Sequence, residues 1–245
     1  MAPMLSPRRV RQMYGGVEPG EVPLFPISDA ARFLWVPDQV LRRWATGGPG
    51  RQPVIRIADR RDMLLSFLNL SELHVLSVLR DRHVGLKNIR RAIHWLKRQP
   101  EIGGDHPHPL LAMDLATDGI SVFVNELAPA GALVNASHEG QIAMAELFEA
   151  HLHRIDRDED TKVALRLYPF PWKARTPDAA VGQPRPIVID PMVSFGRPVI
   201  AGTRVPTTEV ADRIAAGESI ADIAKDMLVD ERQVEAALRY HIKAA

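Results

Sequence analysis

The chain has 245 residues, 46% hydrophobic and 25% charged, a balance that fits a water-soluble globular protein of two small domains or one large one. It has no cysteine, which excludes disulfides, thiolate zinc sites and a cysteine nucleophile, and fits a reducing cytoplasm. The net charge of +1 hides two opposed parts: residues 1–100 carry 17 Lys/Arg against 8 Asp/Glu, whereas residues 101–245 carry 14 against 22. A basic part suits phosphate backbones, and an acidic part suits a different partner.

Residues 1–24, with Gly15, Gly16, Pro19, Gly20 and Pro23, read as an extended arm. Arg8, Arg9 and Arg11 have no apolar run behind them, so Met1 to Tyr14 does not read as a signal peptide, and no stretch approaches the ~18 apolar residues of a membrane span. Ser28 is placed to cap a helix through Ala30, Ala31 and Leu34. Pro37 disfavours helix at the residue before it, so a break falls at Trp35-Val36-Pro37. Val40, Leu41 and Trp44 restart helical spacing until Gly47, Gly48, Pro49 and Gly50 end it. Gln52 to Ile57 reads as a short strand, flanked by Arg51 and Arg56. Asp59 to Arg82 is a long helical stretch with a possible break near Asn69-Leu70-Ser71. Leu86 to Gln99 follows, its Ile89, Ala92, Ile93 and Leu96 forming one buried stripe.

Pro100 to Pro109 reads as a loop, and Leu110–Leu115 and Ile120–Val124 as a hairpin around Thr117-Asp118-Gly119. An amphipathic helix is expected over Gln141–Ile155 and a strand over Thr161–Leu167. Five prolines mark residues 169–186 as a linker. Beyond it come two short strands, Ile187–Ile189 and Val199–Ile200, and three helices. Thr207 or Thr208, Ser219 and Asp230 are the expected caps. The fold class is therefore mainly α with short β. The expected divisions are a flexible arm (1–24), an N-terminal winged helix-turn-helix domain (25–100), a middle α+β segment (101–168), a linker (169–186) and a C-terminal β-arm with a three-helix, helix-turn-helix-like domain (187–245).

The segment Ser28 to Ala45 carries the strongest chemical signal. Ala31 supplies the small residue where two helices cross, and Leu34, Val36, Leu41 and Trp44 supply the apolar anchors. Asp38, Gln39, Arg42 and Arg43 are left on the outer face of the second helix, where Arg can read guanine and Gln adenine. Arg51 and Arg56 would touch the adjacent backbone from a β-wing. This pattern, with the paired helices of 59–99, resembles the winged helix-turn-helix of MerR-type regulators over residues 25–100. It departs from that family at Trp35, where glycine is usual, and at Pro37, where Ser or Thr is usual. Nothing downstream resembles the MerR sensing region.

Ile189-Asp190-Pro191 and then Phe195 to Pro206, with Gly196 and Gly202 permitting sharp turns, resemble a small bacterial domain in which a glycine-rich β-arm precedes a three-helix bundle. That domain is often encoded beside PIN-like ribonuclease toxins, and the whole order of segments is similar to the large VapB-type antitoxins. The resemblance implies an antitoxin of a type II toxin-antitoxin system. Such a protein would repress its own operator on double-stranded DNA as a homodimer or higher oligomer and would neutralise a PIN-like nuclease. Arg197, Gly202, Thr203 and Arg204 are the candidates for partner binding. The alternative reading of Arg204 ties the arm to an acid in its own domain or across a dimer. The alternative for the whole chain is a stand-alone regulator without a toxin. No catalytic, metal-binding or cofactor-binding residue is assigned: His106, His108, His151 and His153 lack metal spacing and read as surface residues, and Glu146, Glu149, Asp156, Asp158 and Asp160 read as a solvated acidic run.

Overall fold

A computed structural model describes residues 12, 14–48, 50–81, 84–99, 106–111, 120, 123, 124, 138–172 and 180–244. The described chain is mainly helical, with short antiparallel strand pairs. Strand β1 (Phe25–Pro26) leads into α1 (Ile27–Leu34) and α2 (Asp38–Thr46), and β2 (Leu64–Leu65) pairs back on β1. Then follow α3 (Phe67–Asp81), α4 (Leu86–Leu96) and α5 (His138–Leu152). Strands β3 (Ile155–Arg157) and β4 (Ala164–Leu167) form a second ladder, β5 (Ile187–Val188) and β6 (Val199–Ile200) a third. The chain closes with α6 (Thr207–Ala215), α7 (Ile220–Met227) and α8 (Glu231–Ala244).

Two cores organise these elements. The larger runs from Phe25 to Ile189 and centres on α3, where Phe67, Leu70, Leu73, Leu76 and Leu79 are fully buried. Helix α3 begins later than the spacing suggested. Asn69, expected at a break, is fully buried in its first turn, where its Oδ1 accepts from the amides of Ala58 and Ser66 and its Nδ2 donates to the Arg56 carbonyl. Those bonds tie the 56–58 segment to the start of α3, whose first turn is capped by Ser66 Oγ accepting from the Asn69 amide. The smaller core holds Ile187, Ile200, Val210, Ile223, Val234, Ala237 and Tyr240.

Several local expectations are corrected. Gln52–Ile57 is not a strand: no described segment pairs with it in a ladder, and the successive amides of Val54 and Ile55 both donate to Trp44 O, wrapping the segment around the end of α2. Leu110 and Leu111 lie in a 3-10 turn, and Ile120, Phe123 and Val124 are helical; their i, i+3, i+4 spacing is that of a helix face rather than a hairpin arm. The turn Thr117–Gly119 lies outside the described residues. Ser28 and Thr208 cap nothing, because α1 and α6 start directly after Pro26 and Pro206. Ser219 does cap α7, its hydroxyl accepting from the Asp222 amide, and Asp230 and Gln233 exchange bonds at the start of α8.

The proline-rich stretch is packed at both described ends. The buried guanidinium of Arg154 donates to the carbonyls of Tyr168, Pro169, Gln183 and Pro184 at 2.8–3.0 Å and lies 4.7 Å from the Phe170 ring centre. Burial pulls its pKa down to about 10, so it remains a cation at neutral pH. His108 and His151, read as surface residues, are instead buried. His108 sits between Glu21 (3.2 Å) and Glu72 (3.3 Å) and pins the arm to α3. His151 lies beside His74, with ring centres 4.9 Å apart. His153 is exposed as expected.

Candidate nucleic-acid interface

Helices α1 and α2 are joined by Trp35, Val36 and Pro37 alone. Trp35 takes the left-handed conformation (φ 59°, ψ 30°), and the Val36 amide donates to Ala31 O at 3.0 Å. The inner side of the pair is sealed by Ala31, Leu34, Val36, Leu41 and Trp44, all buried, with Leu41 fully so. That fixes the other side of α2 outward. Gln39, Arg42 and Arg43 are exposed there, and Asp38 is half-exposed. Arg42 Nε lies 3.3 Å from Asp38 Oδ2, an i, i+4 pair open to solvent. Such exposed pairs contribute only about 0–1 kcal/mol, so the guanidinium is readily exchanged to another acceptor.

Helix α2 ends at Gly47 (φ 83°), where a Cβ would collide with the Arg51 carbonyl oxygen. Gly48 and Arg51 then exchange backbone bonds in a tight turn, leaving the Arg51 side chain exposed. Arg56 is exposed too and, with Ile57, Ala58 and Arg60, lines a shallow depression of about 450 Å³. Arg60 and Arg61 were not among the residues the sequence singled out. They stand exposed at the tip of a turn closed by mutual backbone bonds between Asp59 and Leu64, and Asp59 Oδ1 accepts from the Arg61 and Asp62 amides. An aspartate whose carboxylate captures the amides two and three residues on is a turn signal; the run Asp59 to Asp62 carried it, but the helical spacing that follows masked it. Arg90 on α4 donates to the Gln52 carbonyl at 2.6 Å and ties that helix to the same side.

The candidates at the other end lie on the β5–β6 arm. Arg197 and Arg204 are exposed, and neither guanidinium meets an acid among the described residues. Gly202 (φ 81°) and Thr203 form the turn after β6. The Thr203 hydroxyl donates to Ile200 O and accepts from the Val205 amide, so it is spent on holding the turn. Ser194 Oγ donates to the Arg204 carbonyl and ties the two loops of the arm together. The helices behind the arm present Asp222, Asp226, Glu231 and Glu235 to solvent. The described residues hold no group of three or more His, Asp or Glu side chains placed to bind a metal, and no described helix is long and apolar enough to cross a membrane.

Residues 187–241 match the model of a family described as "Protein of unknown function (DUF433)". A Mycobacterium tuberculosis protein named "Putative antitoxin VapB45" is 29% identical over 241 residues, a match spanning 89% of this chain and 93% of that one. The X-ray crystal structure of Rv2018 from Mycobacterium tuberculosis is similar with a TM-score of 0.64 at 26% identity, covering 89% of this chain and 98% of that one. The relative's name is that of an antitoxin of a toxin-antitoxin system, which implies a toxin as that protein's partner. Over nearly its whole length, therefore, the chain is similar to a VapB-type antitoxin, the resemblance that its C-terminal motif and its order of segments first carried.

Proposed function

We propose that the protein is a cytoplasmic antitoxin that represses its own operon by setting α2 into the major groove of an operator, and that it neutralises a PIN-like ribonuclease toxin through its C-terminal unit. The observation that carries the DNA half is the division of α2 into a sealed face, with Leu41 and Trp44 buried, and a free face with Gln39, Arg42 and Arg43 exposed. A short helix with that outer chemistry suits base edges, each good bidentate pair adding about 1–3 kcal/mol of discrimination. Arg51, Arg56 and Arg60 are placed to neutralise flanking phosphates. One such head makes too few contacts for tight binding, so a two-fold dimer on half-sites ~34–36 Å apart, or a multiple of that, is the working unit.

The toxin half of the reading rests on the likeness to an antitoxin and on Arg197 and Arg204, two cations on a braced arm with no described acid beside them. A toxin with an acidic groove is the complementary surface.

The deciding experiment is a gel shift with the promoter fragment of the protein's own operon. Arg42→Ala combined with Arg43→Ala should abolish the shift while leaving the circular dichroism spectrum unchanged. An unchanged shift would sink the assignment of α2. For the toxin half, the reading frame next to its gene should encode a small nuclease, and co-expression with that product should yield a stable complex. Arg197→Glu with Arg204→Glu should break that complex without touching the gel shift. Failure of the wild type to form it would leave a stand-alone regulator.

A further inference from the structure

The link between α1 and α2 is held from outside the pair. Trp35 sits in a backbone conformation that L residues other than glycine resist. Its indole packs against the smaller core, edge-on to Tyr240 with ring centres 6.2 Å apart at 65°. Tyr240, on α8, is 2% exposed, and its hydroxyl donates at 3.0 Å to the Phe33 carbonyl. That carbonyl is among the last four of α1, which have no donor within their own helix. The neighbouring carbonyls of Ala31 and Arg32 are taken by the amides of Val36 and Trp35, so Tyr240 satisfies a third of the four. A second contact braces the same corner. Gly196 (φ 75°) lies against Phe25, whose ring meets Phe33 edge-on at 6.3 Å, and a Cβ on Gly196 would fall 2.6 Å from the Cζ of Phe25.

We propose that Tyr240 is a positioning residue for α2: the C-terminal unit grips the Phe33–Trp35 corner and thereby sets the angle at which Gln39, Arg42 and Arg43 are presented. This rests on the reading of α2 as the DNA-contacting helix. Because three residues join the helices, any change of dihedral at Trp35 swings α2 as a lever. Arg43 is eight residues on, roughly 12 Å along a helix rising 1.5 Å per residue, so a turn of about 10° moves it roughly 2 Å. Hydrogen bonds to a base edge tolerate a few tenths of an ångström. The C-terminal unit is then a working part of the DNA-reading head as well as a partner-binding module.

Tyr240→Phe in the full chain removes one hydroxyl and keeps the ring. It should raise the operator Kd about 3–10-fold, the size expected for one buried hydrogen bond, in protein that is fully folded under the assay conditions. Amide exchange over residues 35–41 should quicken, while exchange in α6 and α7 stays unchanged. A purely structural role would lower the unfolding midpoint but leave the Kd of the folded protein alone. Trp35→Gly tests the same corner from the other side: it removes the backbone strain and, with it, the indole that meets Tyr240. If the two residues act through one clamp, Tyr240→Phe in that background should change Kd by less than it does in the wild type, a non-additive pair. An operator Kd within error of wild type for Tyr240→Phe, with exchange over 35–41 unchanged, overturns the inference. If the wild type binds no operator at all, the DNA reading fails, and the exchange data alone decide whether Tyr240 holds the corner.

Discussion

Two pairs of helices in this molecule are joined by three-residue turns of the same shape, and they use it in opposite ways. Trp35-Val36-Pro37 joins α1 to α2, and Leu228-Val229-Asp230 joins α7 to α8. Each turn opens with a non-glycine residue in the left-handed region, Trp35 at φ 59°, ψ 30° and Leu228 at φ 55°, ψ 42°. Trp35 is drawn into the smaller core, whereas Leu228 is 91% exposed. The outer faces differ as sharply: α2 shows Gln39, Arg42 and Arg43, while α7 and the start of α8 show Asp222, Asp226, Glu231 and Glu235. The backbone geometry of a turn between helices therefore says little about what the pair does. The charge on the outward face, and what the turn residue packs against, say more.

The largest effect expected on this comparison comes from pH, because the buried histidines with shifted protonation all belong to the larger core. Burial alone would push His108 down, but its bonds to Glu21 and Glu72 outweigh that and hold it at about 9. The folded chain then keeps a proton that the unfolded chain loses above about 6.5. Its stabilisation is complete below that pH and is lost as pH rises through 9. His151 is pushed by burial to about 4, and burial drives His74 well below its ordinary value. For these two the unfolded chain takes up protons first, so stability is lost as pH falls below about 6.5, for His151 down through about 4. Urea unfolding should thus be hardest near pH 6.5, with a loss of about 3 kcal/mol by pH 9 from His108. His108→Gln should flatten the alkaline limb and leave the acid limb in place. An alkaline limb that survives this change would show that the Glu21–His108–Glu72 contact is not its origin.

Trp35→Ala breaks the comparison from the other side. It removes the indole from the edge of the smaller core at a cost of about 2–3 kcal/mol, below the 3–5 typical of a fully buried tryptophan because Trp35 is only half-buried. Calorimetry should show the loss, and operator binding should weaken as well if the corner sets the angle of α2. A destabilised protein with wild-type operator affinity would separate packing from presentation.

Much of this was legible in the residues. The sites of both turns, the sealing anchors of α2 and the three C-terminal helices followed from spacing, Pro37 and the capping residues Ser219 and Asp230. Trp35 was recognisable as a non-glycine residue at a turn position. What it packs against was not, since Tyr240 lies 205 residues further on and no local pattern pairs them. The buried place of His108 was hidden for the same reason: His-Pro-His-Pro reads as a surface loop until Glu21 and Glu72 come from distant segments to enclose it. The Gln52–Ile57 segment failed because burial in successive residues reflects wrapping around the end of α2, a tertiary fact that overrides strand preference.

The smallest effect is the sharpest test of the contrast between the turns. Leu228 carries the strain of a left-handed residue and exposes its side chain, so within a single chain nothing described offsets either cost. Leu228→Gly removes the clash of Cβ with the following carbonyl and should stabilise the C-terminal unit by about 1 kcal/mol, offset in part by the greater entropy of glycine in the unfolded chain. The same change at Trp35 removes comparable strain but also the indole, and should destabilise. Opposite signs for two substitutions at one backbone geometry, read as shifts in urea midpoint at constant slope, would establish that packing decides the matter. If both destabilise, the exposed Leu228 side chain has a contact in the assembled protein that a single chain does not reveal, and the parallel between the turns extends to their packing.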